Sequence, residues 1–161
     1  MASDARRSWT RRDFPVLLAM PTRWADNDMF GHLNNAVYYE LFDTAINGWL
    51  AGAGGVDAAT TPELGVVAES GCIFYREVGF PQPLTVGMRV ERLGRSSVTY
   101  ALGVFGGGPD DGPSDPAEAT VAAVGHWVHV YVDRTTRRAT PMPDAVRVAL
   151  QGMLAVNEQE G

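Results

Sequence analysis

One segment constrains the fold more than any other. From about Asn34 to Ala51 the apolar residues Tyr38, Phe42, Ala45 and Trp49 recur at helical spacing, and Leu41, Ile46 and Leu50 widen the stripe. A helix with so broad an apolar surface has to be largely buried. Asn34 suits the N-cap, where a short polar side chain accepts a backbone N–H. The run Ala51-Gly52-Ala53-Gly54-Gly55 ends the helix, because glycine breaks it and suits its C-terminal turn.

The rest of the chain must supply a cover, and its periodicity is that of strands. Val16 to Trp24 reads as a first strand, interrupted by Pro21. Gly65–Val78, Leu84–Arg95, Ser97–Phe105 and Thr120–Asp133 follow. Val98, Tyr100, Leu102 and Val104 alternate with Thr99, Ala101 and Gly103, and Val124, His126, Val128, Val130 and Val132 form the period-two set of the longest strand. Residues 106–117, rich in Gly, Pro and Asp, read as a long mobile hairpin loop, and Val146, Leu150 and Leu154 mark a short amphipathic helix near the end. One buried helix against a mostly antiparallel five-stranded sheet is an α+β arrangement. Residues 1–13 read as a polar N-terminal tail and residues 14–161 as a single domain, as 161 residues predict.

Composition removes several function classes. A net charge of -6 disfavours nonspecific nucleic-acid binding. No apolar run approaches the roughly 18 residues of a membrane span. The single cysteine, Cys72, excludes an internal disulfide framework and a Cys-rich zinc site. Arg11-Arg12 superficially resembles a twin-arginine export signal, but Val16–Met20 is too short an apolar run to complete one, so a cytoplasmic location is expected.

The chemistry concentrates between Arg23 and Tyr39. Two carboxylates, Asp26 and Asp28, stand just before the start of the helix, where backbone N–H groups lack intrahelical partners and the dipole places about half a positive charge. Such a place can hold a substrate oxyanion beside a carboxylate that acts as base or nucleophile. The plainer reading is that both acids only cap the turn.

Trp24-x-Asp26-x-Asp28-x-x-Gly31-His32-Leu33-Asn34-Asn35-x-x-Tyr38 resembles the signature of hotdog-fold acyl-CoA thioesterases of the 4-hydroxybenzoyl-CoA thioesterase type. Leu84-x-Val86-x-x-Arg89-Val90-x-x-Leu93-Gly94-Arg95-Ser96-Ser97 is similar to that family's central strands. The resemblance implies a hotdog fold and hydrolysis of a thioester to a carboxylic acid and free coenzyme A. It puts the catalytic carboxylate at Asp28, a supporting one at Asp26, the carbonyl-polarising backbone N–H at Asn35 and a pocket wall at Tyr38. It further implies no metal or redox cofactor and a homodimer or homotetramer.

Other residues carry two readings each. His32 orients the loop or serves as an acid. Glu69, read as facing the same side as Val67, Gly71 and Ile73, lines the pocket or lies exposed. Arg89, Arg92, Arg95 and Arg137-Arg138 are candidates for the coenzyme A phosphates, with Arg95 the first choice, or belong to a solvated strand face. His126 and His129, three apart in a strand, point to opposite faces and make no metal pair. Two rival functions stay open. One is a hotdog acyl-CoA hydratase or dehydratase, against which stands the lack of an Asn-Pro between Asp28 and His32. The other is a non-catalytic acyl-CoA binding module.

Overall fold

The computed structural model describes residues 5–108 and 120–154. Strands β1 (Val16–Met20), β2 (Glu63–Phe74), β3 (Leu84–Leu93), β4 (Ser97–Gly106) and β5 (Ala123–Asp133) form one sheet in the order β1-β3-β4-β5-β2. Every neighbouring pair is antiparallel. Helix α1 (Asn35–Gly52) packs on one face, and the shorter α2 (Asp144–Gln151) follows β5. A long helix held in a curved antiparallel sheet is the hotdog fold. The expected hairpin loop lies mostly within residues 109–119, outside the described residues, and the terminal helix is seen to Gln151.

Helix α1 begins as its sequence dictates. The Asn34 side chain accepts the Ala36 N–H at 2.9 Å. Tyr38, Phe42, Ala45, Ile46 and Leu50 are buried, while Trp49 is half-buried. The sheet meets this stripe with Gly125, Trp127, His129 and Tyr131 of β5 rather than with the valines that alternate with them. Gly125 is required by close approach: a Cβ there would stand 2.5 Å from the Phe42 ring. The half-buried valines Val128, Val130 and Val132 lie on the outer face.

Two features depart from the sequence expectation. Residues 5–13 do not hang free as a polar tail. Trp9 and Phe14 pack with Phe105, Val121 and Val124 against the outer face, and the Phe14 ring fills a notch left by Gly87 and Gly103. The Arg6 and Arg89 guanidinium groups lie over the Trp9 ring, their central carbons 5.3 and 4.7 Å from its centre.

The second departure is a bulge in β2. Val67 pairs with His129 and Glu69 with Val128, so Ala68 is an extra residue. It reverses the alternation. Gly65 and Val67 face α1, as do Ser70, Cys72 and Phe74, but Glu69 turns to the outer face with Gly71 and Ile73. Glu69 therefore does not share a face with Val67. It meets His126 on the outer face, carboxylate to imidazole at 2.9 Å.

Candidate active site

The site is built on the chain that enters α1. Pro21 follows the last residue of β1, and Trp24–Asp26 form one 3₁₀ turn. Asp26 is buried and its carboxylate is fully engaged. Arg23 donates to Oδ1 from Nε at 3.0 Å and from a terminal nitrogen at 2.7 Å, and its backbone N–H donates to Oδ2 at 2.7 Å. The Arg23 hydrogen bonds hold the Asp26 carboxyl below the usual carboxylate range, against the opposing effect of burial. The Asp26 carbonyl then accepts the Asn34 N–H at 2.9 Å, tying the turn to the cap of α1.

Between these anchors runs the loop 27–33. The Asn27 side chain exchanges hydrogen bonds with the Phe80 backbone, accepting its N–H at 3.0 Å and donating to its carbonyl at 3.2 Å. The Asp28 N–H donates to the His32 carbonyl at 3.0 Å, and the Gly31 N–H to the Asp28 carbonyl at 3.1 Å. Gly31 sits at φ +88, a conformation in which a side chain is strained. Asp28 and His32 are thereby brought to the two ends of one tight turn. The Asp28 Oδ1 accepts the Phe30 N–H at 2.8 Å, which fixes the side chain and leaves Oδ2 without a partner among the described residues.

At the start of α1 an open hollow of roughly 330 Å³ lies between the helix and the chain leaving β2. His32, Leu33, Asn35 and Tyr38 form one wall, and Phe74, Tyr75, Arg76 and Glu77 the other. Among first-turn donors, the Ala36 N–H is taken by the Asn34 side chain and the Val37 N–H by the Asn34 carbonyl. The Asn35 N–H has no partner among the described residues and opens to solvent at the hollow. Tyr38 is buried edge-on against Phe74, ring centres 4.9 Å apart, and burial pushes its phenol up to about 12. It is a protonated wall at neutral pH.

The structure thus gathers His32, Asn35 and Tyr38 at the hollow, sets Asp28 on the adjoining turn, and buries Asp26 in the 3₁₀ turn that precedes it. Glu69 and Arg95 are elsewhere. Glu69 is carried to the outer face by the bulge. Arg95 lies in the β3–β4 turn, beside Ser97, which pairs with Val130, whereas Phe74 pairs with Ala123. Ala123 and Val130 lie seven residues apart along β5, about 23 Å. The Arg95 carbonyl is used locally, accepting from the Met142 N–H and the Arg147 guanidinium. Sequence reasoning missed Glu77 and Phe74, whose closeness to the α1 entry follows only from sheet pairing. It also passed over Asn27, whose clamp on Phe80 has no local signature.

The sequence profile of the thioesterase-like superfamily matches residues 22–150, from the entry turn to α2. The chain belongs to that superfamily. Among solved structures, this superfamily member is similar to a Pseudomonas aeruginosa PAO1 protein at 36% identity and TM-score 0.84, covering 92% of this chain and 98% of that one. A Thermus thermophilus thioesterase, solved with coenzyme A and zinc, is 26% identical, with TM-score 0.68 and coverage of 86% and 98%. A 1,4-dihydroxy-2-naphthoyl-CoA thioesterase of Synechocystis shares the fold at 13% identity and TM-score 0.70, covering 84% and 94%. No curated protein matches the chain.

Proposed function

We propose that the protein hydrolyses acyl-CoA thioesters to a carboxylic acid and free coenzyme A. The observation that carries this reading is the unpartnered Asn35 N–H, which opens the positive end of α1 into a hollow one turn of chain away from the Asp28 carboxylate. A thioester carbonyl set over that N–H would have its developing oxyanion stabilised as the tetrahedral intermediate forms, and one such donor is worth roughly 2.7–4 kcal/mol in other enzymes. Asp28 Oδ2 then activates water or attacks the carbonyl carbon itself. Tyr38 and Phe74 offer an apolar aromatic corner for the acyl group. The superfamily match and the coenzyme A complex of the Thermus relative support a coenzyme A ester as substrate.

The working unit in this reading is a homodimer or a dimer of dimers. Strand β2 is twelve residues long and stands at the sheet edge, with Val66, Val67, Ile73 and Phe74 exposed. A long apolar edge of this kind invites a second strand. Light scattering at micromolar protein should give at least a dimer mass, and a monomer mass would remove this part of the reading.

Thiol release over a panel of acyl-CoAs, run beside the absorbance of an enoyl-CoA, tests the reaction. Release of coenzyme A without loss of the enoyl band is the expected result. Loss of that band without thiol would instead select a hydratase.

A further inference from the structure

Asp28 and Asn35 account for attack and for the oxyanion, but neither accounts for the departing sulfur. The hollow holds a second titratable pair that this scheme leaves unused. His32 stands on its wall with Nδ1 3.3 Å from the Leu33 carbonyl oxygen. A carbonyl only accepts, so that contact places a proton on Nδ1 and turns Nε2 toward the opposite wall. There the nearest charged atom is the Glu77 carboxylate, 3.8 Å from Nε2. The Phe30 ring lies nearly parallel to the imidazole, at 22°, with ring centres 6.4 Å apart. Phe30 itself is held by Asp28 Oδ1, so the base and the imidazole are positioned through one turn.

We propose that His32 is the proton donor to the leaving thiolate and that Glu77 is its positioning residue. The inference rests on the thioesterase reading above. In the general-base form of the reaction, water adds to the carbonyl carbon and gives a proton to Asp28. As the tetrahedral intermediate collapses, the C–S bond breaks, its electron pair stays on sulfur, and the proton on His32 Nε2 moves to that sulfur. The products are the acid and the thiol. His32 is reprotonated by solvent as Asp28 releases the proton it took, so water and thioester balance the acid and the thiol. The Glu77 carboxylate stands opposite Nε2 and orients the ring for this step. The other charged or titratable groups around His32 are Arg76 and Tyr38 in the hollow and Asp28 across the turn.

A leaving group that needs no proton separates this role from a structural one. The best acyl group of the panel is presented both as its coenzyme A thioester and as a nitrophenyl thioester, whose thiolate departs unaided. In His32→Ala, kcat/KM for the coenzyme A ester should fall about 10²-fold, the lower end for loss of a general acid. The fall should be at least about tenfold smaller for the aryl ester. In Glu77→Gln, kcat for the coenzyme A ester should fall with KM little changed, and the fall should again be smaller for the aryl ester, because the imidazole has lost the carboxylate that orients it. Equal losses on both esters in His32→Ala, no loss on either, or a Glu77→Gln loss that does not depend on the leaving group would overturn the proposal. If His32→Ala does not fold, His32→Gln carries the same comparison, since its amide can still reach the Leu33 carbonyl. A wild-type protein that releases no thiol from any coenzyme A ester refutes the thioesterase reading itself. A wild-type protein that does so, with a normal His32 variant, refutes only the proton-donor role of His32.

Discussion

Arg23 and Asp26 close a three-bond clamp in which one residue binds both oxygens of the other, through its side chain and its own backbone N–H. The clamp fixes the 3₁₀ turn from which the Asp26 carbonyl reaches the first residue of the α1 cap. Asp26→Asn keeps the shape and removes the charge. We expect a loss of about 1–3 kcal/mol in stability, the scale for hydrogen bonds to a charged group, with a smaller effect on turnover. Thermal melts beside kcat values check both. Because the folded-state pKa of Asp26 is depressed, this contribution is present above the ordinary carboxylate pKa and is lost as pH falls through the lowered value.

Asp28→Asn should give the opposite pattern. The substituted amide oxygen can still accept the Phe30 N–H, so the turn should persist. The anionic oxygen is gone. Hydrolysis should fall by about 10²–10⁴-fold, the range for removing a general base, while the melting temperature holds and an uncleavable coenzyme A thioether still binds. A deeper kinetic loss in a folded Asp26→Asn than in Asp28→Asn would assign the chemistry to the other carboxylate.

His129 predicts an acid-sensitive core. It is buried, its Nε2 accepts the Trp127 indole N–H at 3.2 Å, and burial pulls its pKa down to about 4. The unfolded chain takes up that proton near pH 6.5, the folded one near 4. Stability from the neutral ring is therefore complete above about pH 6.5 and is lost progressively as pH falls towards 4, by about 3 kcal/mol in all. Urea melts across this window should show the decline, and His129→Gln should flatten it.

Phe14 predicts that the N-terminal segment is part of the folded body. Its ring occupies the notch of Gly87 and Gly103, and it is almost wholly buried. Phe14→Ala should cost about 3–5 kcal/mol, as large-to-small changes of buried phenylalanine do. Turnover per folded molecule should change little, because Phe14 itself lines no part of the hollow. Urea denaturation and activity titrated to folded protein measure the two quantities.

Where the physics is local, the chain is readable. The Asn34 cap, the Tyr38–Phe42–Ala45 stripe and the stop after Ala51 all follow from side chains within a few residues of one another. The turn from Asp26 to His32 can be placed at the entry of α1 for the same reason. What cannot be read depends on partners far along the chain. Phe14 finds Gly87 and Gly103, and His32 meets Glu77 only because β2 ends beside α1. Trp9 falls in a stretch that reads as polar, because nothing near it in sequence marks its packing on Phe14. A period-two reading puts Glu69 on the wrong face because an inserted alanine leaves no mark in the alternation.

That alanine sets the phase of an entire strand. With Ala68 in place, the halves of β2 on either side of it are out of step, and each delivers the residue its surroundings demand. The first half offers a glycine where any Cβ would stand 3.1 Å from the His129 ring. The second offers Phe74 against Tyr38. Deleting Ala68 would leave Val67 opposite His129 and Glu69 opposite Val128 in an unbroken ladder, with both halves on the faces they hold now. The bulge is thus a frame corrector: it swallows one surplus residue, so that Gly65 and Phe74, which stand an odd number of residues apart in sequence, still reach the same side of the sheet.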